Sequence, residues 1–513
     1  MLKKYVLGMD GGTGGMRVGV YDLDGNEVAF ASTEYETVYP HPGWAEQNPM
    51  DWWKAMGEST RKALAIAGVQ KENVVALSYD GTCGSTLLSL NDGTPIGNSL
   101  IWMDVRASEE ARFLSETRHP ALKFNGYGNV SPEYVPCKAL WLKKHKHADY
   151  EKAEKVCEYA DWITFKLTGR WTANLACIAS RWYYDAPNGG YPKDFYRQIG
   201  LEDVLDKFPQ DIHHVGDNLG KLQPAAAEHL GLTPDTIVGQ GGVDASIGMI
   251  GLGVIKPGMA ALITGSSHLV MGLTDTYHYT KGGGYFGPFP DAIIKGYGIV
   301  EGGQTSSGSI LNWFKKYFCK DLEELPGGAY GVLGDEAAKL SVGSEGLLVL
   351  DWWQGNRTPY TDSDVRGNIY GLSLGHTRAH VFRAIMEGVA FGTENVLASF
   401  RKAGFPVNEV NMSGGTTNSQ LWMQIHADVS NVIVNVPKNP QASALGAAIL
   451  AATAAGLYTL NEAVDHMVHY DKQIFPNAEN HLKYQEIFAQ YQAAYDKFGD
   501  WMRETTAVFT KIR

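Results

Sequence analysis

One unit occurs twice in this chain: an apolar strand, a loop of small residues and a returning strand. In the first copy, residues 5–9 form the strand, residues 10–15 the loop and residues 17–22 the return. In the second copy, residues 258–263 lead into the loop 264–267, and residues 268–272 leave it. At 513 residues the chain is too long for one core. The repeat therefore favours two related α/β halves with a cleft between them.

Both loops are candidates for binding an anion. Glycines let backbone N–H groups approach a phosphate closely, and Thr13 and Thr264 add hydroxyl donors. Alone, the first loop is equally compatible with a tight hairpin whose glycines only supply positive φ. Two such loops facing each other across a cleft favour phosphate binding more strongly than either one.

Neither loop fits the common nucleotide motifs. The first has no Lys-Ser/Thr ending, as a P-loop would require. It also leads into a strand, whereas a dinucleotide-binding glycine motif opens a helix. A Rossmann fold is therefore excluded.

The first half continues as an α/β layer. We expect a third strand over 28–35, a helix beginning at Pro49 and a buried strand over 74–79. That strand delivers Asp80 at its carboxyl end, the edge where α/β sheets bind ligands. Residues 86–90 and 100–102 are expected to continue the sheet.

The second half begins where a strand over 238–243 ends at Asp244. A small-residue helix follows, and later come a long helix over 379–400, a strand over 409–412 and an alanine-rich stretch from 442 that completes the second layer. On the long helix, Arg383 and Glu387 form an i,i+4 pair, which we interpret as structural. We place the domains at 1–247 and 248–513.

The net charge of −12 argues against nucleic acid or an anionic membrane as the main partner. Five scattered cysteines without a CxxC pair suit a reducing compartment. No signal peptide is evident, and the longest apolar stretch is too short to span a bilayer. We expect a cytoplasmic protein with no nucleic-acid or membrane partner, and leave a homodimer as an option.

The pieces suggest phosphoryl transfer, which needs phosphate donors, a metal held by carboxylates and a base near the acceptor hydroxyl. Asp10 is placed to face a metal or its water, and Asp244 is the best candidate for the base. The alternative for Asp244 is a carboxylate that caps the following helix. Residues 413–418 could admit a nucleoside, although a structural turn is the simpler interpretation.

Residues 102–106 place an aromatic, an acidic and a basic side chain at the end of a strand. Trp102 could cover the C–H face of a sugar, while Asp104 and Arg106 could bind its hydroxyls. A lone tryptophan is more often part of a core.

With these residues in view, the chain resembles the FGGY family of carbohydrate kinases over nearly its whole length. The motifs that carry the resemblance are Gly8-Met-Asp10-Gly-Gly-Thr13-Gly, Gly43-Trp44-Ala-Glu46-Gln47-Asn-Pro49, residues 101–106, residues 134–142, residues 239–244, residues 264–267, residues 367–387, and Gly414-Gly415 with residues 444–448.

The resemblance implies two actin-like (ribonuclease H-like) domains, an ATP–Mg²⁺ donor and phosphorylation of a sugar or polyol. It implies Asp244 as the catalytic base and Asp10 with Asp244 as the metal ligands. The expected ATP-binding residues are Gly11, Gly12, Thr13, Thr264, Gly265, Ser266, Gln304, Gly414, Gly415, Thr416 and Asn418. The expected substrate-binding residues are Asp80, Gly81, Thr82, Trp102, Asp104, Arg106 and Asp244.

The substrate is harder to predict. Residues 80–86 differ from the stretches found in glycerol kinases and xylulokinases, whereas residues 80–83 and 301–305 are similar to the ribulokinase-like branch. This favours a ketopentose or a related small polyol, with xylulokinase-type, glycerol-type and tetritol-type substrates as alternatives. An actin-like nucleotide switch without a sugar substrate is the alternative from another class. A degenerate sensor would have lost Asp10 or Asp244, and both are present.

Overall fold

The computed structural model describes residues 3–512. Its strands, in chain order, are β1 (Tyr5–Gly12), β2 (Gly15–Asp22), β3 (Glu27–Glu34), β4 (Glu46–Gln47), β5 (Val74–Gly81), β6 (Leu87–Ser89), β7 (Ser99–Leu100), β8 (Lys155–Cys157), β9 (Thr172–Asn174), β10 (Asp211–His213), β11 (Asn218–Lys221), β12 (Ile237–Gly239), β13 (Gly242–Val243), β14 (Gly258–Thr264), β15 (His268–Thr274), β16 (Phe286–Pro290), β17 (Gly298–Gln304), β18 (Leu348–Leu350), β19 (Asn368–Tyr370), β20 (Val407–Gly414), β21 (Ile433–Pro437) and β22 (Tyr470–Ile474).

The helices alternate with these strands in both halves. They are α1 (Pro49–Ala67), α2 (Ser108–Glu116), α3 (Val135–His145), α4 (His147–Lys152), α5 (Tyr159–Thr168), α6 (Leu175–Arg181), α7 (Lys193–Gln198), α8 (Val204–Lys207), α9 (Pro224–Leu230), α10 (Asp244–Gly251), α11 (Gly308–Phe318), α12 (Gly328–Ala337), α13 (Arg378–Lys402), α14 (Gln420–Ser430), α15 (Ala442–Ala454), α16 (Leu460–Met467) and α17 (Ala478–Ile512).

Two seven-stranded sheets repeat one topology. The first has the order β11-β12-β5-β1-β2-β3, with β13 beside β5. The second has the order β16-β17-β15-β14-β20-β21-β22. In each, two antiparallel strands enclose a loop, the first of them pairs in parallel with a later strand, and a further parallel strand follows. This confirms two ribonuclease H-like halves, as the repeated unit predicts.

Helix boundaries follow local signals. Asn48 caps α1 by accepting from the Met50 N–H, Pro49 opens the helix, and Gly68 ends it with φ of 63°. The long α13 begins in a capping box of Thr377 and His380. Both helices lie where the apolar spacing predicts them.

Two short strands do not continue the first sheet, so that expectation is wrong. β6 pairs with β8, and β7 pairs with β4, each in a separate two-stranded ribbon. Their partners are distant in sequence, and β4 is only two residues long. Such pairings depend on tertiary packing and leave no periodicity in the sequence.

Helices α10 and α15 cross between the two sheets, and small residues let their backbones approach closely. A Cβ at Gly446 of α15 would overlap the Ile247 carbonyl of α10, and one at Gly251 would overlap the Ala442 carbonyl. On its other side α15 packs against β1, β5 and β12, where a Cβ at Gly8 would overlap the Ala444 carbonyl. The second half of the chain thus contributes to the first half's core.

The 35-residue helix α17 ends the described chain. Tyr484 and Tyr491 pack into the second half, whereas Trp501, Phe509 and Ile512 are largely exposed. Among the helices of residues 3–512, none combines the length and the apolar character needed to cross a membrane.

Candidate active site

Three carboxylates meet at the carboxyl edge of the first sheet. The parallel register of β1 and β5 sets Asp10 directly beside Asp80. β13 pairs with the same end of β5, so that Asp244, the next residue in the chain, begins α10 at this edge. Sheet topology therefore brings together residues that are more than 200 positions apart, as the strand-end pattern predicts.

Asp10 and Asp80 have different partners. The Arg17 guanidinium donates to Asp10 Oδ2 at 2.7 Å, across the hairpin of β1 and β2. Asp80 is completely buried, and neither of its oxygens accepts a hydrogen bond from a donor in the described chain. Burial, reinforced by the charges of Asp10 and Asp244, raises the pKa of Asp80 well above its ordinary value. This environment therefore favours the neutral, protonated form of Asp80.

Asp244 faces a cavity and keeps a free oxygen. Its Oδ1 accepts only the adjacent Ala245 N–H, at 2.7 Å. Asp244 is the first residue of α10 and not its N-cap, and no side chain caps that helix, so the helix-capping alternative is wrong. Burial and the charge of Asp10 raise the pKa of Asp244 to about 7. A carboxylate with a pKa near neutrality is suited to take a proton from a hydroxyl.

A cavity of about 240 Å³ opens in front of Asp244. Of the residues predicted to bind substrate or phosphate, Thr13, Thr82, Trp102 and Asp244 line it. Trp102 is 43% exposed and donates its indole N–H to Thr13 Oγ1 at 3.0 Å. Trp102 is thus part of the cavity wall and not of a core.

Arg181 spans this cavity between the two halves. Its guanidinium lies 3.2 Å from Glu133 Oε1 in the first half and 3.1 Å from Glu301 Oε1 of β17 in the second. All three side chains line the cavity, together with Arg357. These charged groups can bind and orient hydroxyls. Sequence reasoning missed Glu133, Arg181 and Arg357. Arg181 is the last residue of α6, the other two lie in loops, and none of the three stands in a motif that indicates sugar binding.

Asp104 and Arg106 lie behind the cavity wall. Asp104 is fully buried and accepts the Ala45 N–H at 2.6 Å as well as the Arg106 guanidinium. Arg106 also pairs with Glu46 and lies 3.7 Å from the centre of the Trp44 ring. Their polar atoms are used inside the protein, so they hold the loop that carries Trp102. Gly81 likewise packs against the Tyr159 ring.

A second cavity, of about 750 Å³, lies between the second phosphate loop and helix α12. It is lined by five of the residues predicted to bind ATP: Gly265, Ser266, Gly415, Thr416 and Asn418. Tyr330, Phe382 and the glycines of α12 form flat walls suited to a planar ring. Gly265 and Ser266 line this cavity, and Leu269 of the same segment lines the small cavity that Asp244 faces.

The remaining residues predicted to bind ATP have structural contacts. The Thr264 hydroxyl donates to the Ser413 carbonyl at 2.6 Å and accepts the Thr416 N–H, which joins the two loops. Gln304 is buried, and its amide group donates to Asp351 and the Val389 carbonyl and accepts from Thr393. Gln304 has no donor left for a nucleotide.

Glycines at the loop edges are places of close approach. A Cβ at Gly11 would overlap the Tyr159 ring, and one at Gly414 would overlap the Thr264 carbonyl. The Gly12 carbonyl accepts the Tyr35 hydroxyl. Glu387, interpreted as structural, is buried and binds Arg383 at 3.0 Å and the Ser344 hydroxyl at 2.8 Å.

Two family models match the chain. They are described as the N-terminal and C-terminal domains of the FGGY family of carbohydrate kinases, and they match residues 5–251 and 260–455. A ribulokinase of Anoxybacillus flavithermus is 32% identical over 550 residues, covering 97% of this chain and 95% of the relative. A xylulose kinase of Bacillus subtilis is 28% identical over 500 residues, covering 97% and 98% of the two chains.

The fold is also that of solved sugar kinases. A ligand-bound xylulose kinase of Lactobacillus acidophilus superimposes with a TM-score of 0.87 at 24% identity, over 97% of this chain and 98% of that one. This likeness concerns the fold. It agrees with the repeated sheet topology and with the cleft that holds both cavities.

Proposed function

This chain belongs to the FGGY family of carbohydrate kinases, and we propose that it transfers the γ-phosphoryl group of ATP to a hydroxyl of a ketopentose. The observation that carries the proposal is the position of Asp244. It lies at the end of the small cavity lined by charged side chains, where the segment 265–269 leads from the larger cavity. A base, an acceptor cavity and a phosphate loop are the parts that phosphoryl transfer requires.

We infer that the residues act in this way. Arg181, Glu133 and Glu301 orient the sugar, and Asp244 accepts the proton of the attacking hydroxyl. The hydroxyl groups of Thr13 and Ser266, which line the two cavities, bind phosphate oxygens, while the second cavity holds the nucleoside. Closure of the two halves excludes water, which would otherwise accept the phosphoryl group.

Mg²⁺ would be held by Asp10 and Asp244, and the donors present fit that ion. Carboxylate oxygens are its preferred protein ligands, and the neighbouring Asp80 leaves both of its oxygens without a donor. Bound there, Mg²⁺ would neutralise charge on the phosphates of ATP.

Three further proposals concern the whole protein. We propose the domains as 1–247 and 248–513, with the Arg181–Glu301 pair bridging the cleft. Five free cysteines support a cytoplasmic location. The exposed apolar side chains of α17 at Trp501, Phe509 and Ile512 support a homodimer, which sedimentation velocity of the Trp501→Glu variant would test.

The activity is tested by ADP formation against a panel of acceptors under saturating ATP. The panel holds ribulose, xylulose, pentitols, tetritols, hexuloses and glycerol. We expect a pentulose to give the highest kcat/KM. Comparison of ribulose with xylulose then shows whether the substrate preference is that of a ribulokinase or that of a xylulose kinase. Activity with glycerol alone would contradict the proposal that the substrate is a ketopentose. ATP turnover that ignores every polyol would instead support a nucleotide switch.

A further inference from the structure

Beside the small cavity, two thiols and a carboxylate form a compact group that the proposed transfer reaction does not use. The Sγ atoms of Cys83 and Cys177 and a carboxylate oxygen of Glu158 lie within 4.8 Å of one another. They come from three elements: the loop after β5, helix α6 and the residue that caps α5. The carboxyl edge of the first sheet and the starts of the neighbouring helices α5 and α6 hold the three side chains together.

The spacing of these atoms suits a thiophilic cation. Zn–S bonds are about 2.3 Å, so tetrahedral sulfur ligands lie about 3.8 Å apart. Cys83 Sγ lies 3.8 Å from Glu158 Oε1 and 3.8 Å from the Ser180 hydroxyl oxygen. Small side-chain rotations would therefore complete a three-ligand site.

Glu158 is held rigidly in this group. Its Oε1 accepts the Trp182 indole N–H at 2.6 Å, and its Oε2 accepts the Gly84 N–H at 2.7 Å. Each carboxylate oxygen keeps a second lone pair, so these bonds orient the ligand without consuming it.

The surrounding charges would compensate a bound metal. Two thiolates, one carboxylate and a divalent cation carry a net charge of −1. Lys138 is buried in the same wall, and Arg181 lies beside Cys83; their positive charges favour the ionised forms of Glu158 and Cys83. The hydrogen bond with Cys83, together with burial, raises the pKa of the Cys177 thiol, and burial raises the pKa of the Cys83 thiol. Metal binding must therefore release two protons.

One side of the group is open to the sugar cavity. Cys83 and Ser180 line that cavity, whereas Cys177 is 2% exposed and lies behind them. A cation held here would keep a coordination position facing the cavity, as open zinc sites do.

We propose that Cys83, Cys177 and Glu158 form a site for a divalent thiophilic cation, such as Zn²⁺, and that its occupation blocks the sugar cavity. On binding, two S–H bonds break, their protons leave to solvent and two metal–sulfur bonds form. The block depends on the proposed function, because it places the sugar in that cavity. The metal site itself does not depend on it.

Binding is tested without any activity measurement. The full chain, kept reduced with a phosphine, is titrated with Cd²⁺ while the ultraviolet thiolate-to-cadmium absorption is recorded, and with Zn²⁺ by calorimetry. We expect one ion per chain, and at least tenfold weaker binding in Cys177→Ser. Cys137→Ser is the matched control, since Cys137 is equally buried but lies on α3 away from the group. Equal affinity in all three proteins would overturn the site.

Should Cys177→Ser fail to fold, Cys177→Ala replaces it, with circular dichroism as the check. Inhibition is then measured with MgATP in excess. We expect Zn²⁺ to raise the KM for the sugar and leave kcat unchanged, with reversal by a chelator. A lower kcat at an unchanged sugar KM would overturn the block. If the protein phosphorylates none of the sugars, the thiolate-to-cadmium absorption band still tests the metal site by itself.

Discussion

At the scale of residues, the centre of the molecule is a set of three carboxylates with one cationic partner. Arg17 pairs with Asp10, while Asp80 is buried without a donor and Asp244 faces the cavity. Burial first, and then the charge of Asp10, raises the pKa of Asp244 to about 7. That pKa lets Asp244 act as a base near neutral pH.

Replacing Asp244 with Asn removes the base and keeps the size of the side chain. We expect kcat to fall about 10²–10⁴-fold, the usual contribution of general-base catalysis. Binding of ATP without Mg²⁺, measured by calorimetry, should be unchanged because Asp244 does not line the larger cavity. Turnover within threefold of the wild type would contradict the role of Asp244.

The pH dependence follows from the same group. Below its pKa of about 7, Asp244 is protonated and accepts no proton, so kcat/KM should fall as pH drops through 7. This acidic limb of the pH profile reflects the titration of the coupled carboxyl groups as a set. Arg17 lowers the pKa of Asp244, so Arg17→Gln should move the limb to higher pH.

The control for that shift is Arg197→Gln, since Arg197 pairs with Glu202 on the surface. Its pH profile should match that of the wild type. A limb that stays in place in Arg17→Gln would show that the carboxylates do not sense Arg17.

The sequence predicted residues at strand ends better than residues in loops. Asp10, Asp80 and Asp244 follow apolar runs, and the edge of a sheet brings such positions together. Asp104 matched a family motif, but its partner is the Ala45 N–H, a contact that no pattern encodes. Arg181 carries no motif at all, so only the fold reveals that it lines the cavity.

At the scale of elements, the tightest packing is the crossing of α10 and α15. Gly446 and Gly251 allow backbone to meet backbone there. The glycines and alanines of this region are visible in the sequence, and those that follow Asp244 predict a helix of small residues. The sequence does not show which helix these small residues face, because the close approach of α10 and α15 depends on how the two halves dock.

Gly446→Ala should destabilise the protein by about 1–3 kcal/mol, since its Cβ would overlap the Ile247 carbonyl and force a backbone shift. The measurement is chemical denaturation. Gly334→Ala on α12 is the control, because nothing lies near its Cβ and alanine favours a helix by about 0.5–1 kcal/mol. If the denaturation midpoint of Gly446→Ala equals that of the wild type, the crossing of α10 and α15 accommodates the extra methyl group without loss of stability.

At the scale of the whole molecule, the two halves are not independent. α15 belongs to the second half by sequence, yet it covers β1, β5 and β12 of the first. The repeat can be recognised from the sequence because it is a local pattern, whereas the boundary between residues 247 and 248 stays a prediction. The sequence does not show that a helix near residue 450 covers the sheet that starts at residue 5.

A fragment of residues 1–251 should therefore fail to fold alone. Without α15, the sheet face around Gly8 and Gly239 is uncovered, and apolar surface of that kind promotes aggregation. Solubility and near-ultraviolet circular dichroism measure the outcome. Co-expression with residues 252–513 should restore soluble protein. A fragment that is soluble and cooperatively folded by itself would show that α15 is dispensable.

The same packing sets a timetable for synthesis. β1 leaves the ribosome among the first residues, but the helix that covers it is encoded about 430 residues later. At about 5–20 residues per second, roughly 20–90 seconds pass between the two events. Throughout that interval one face of the nascent sheet has no native cover. A cell that makes this protein must shield an unfinished first half for longer than most domains need.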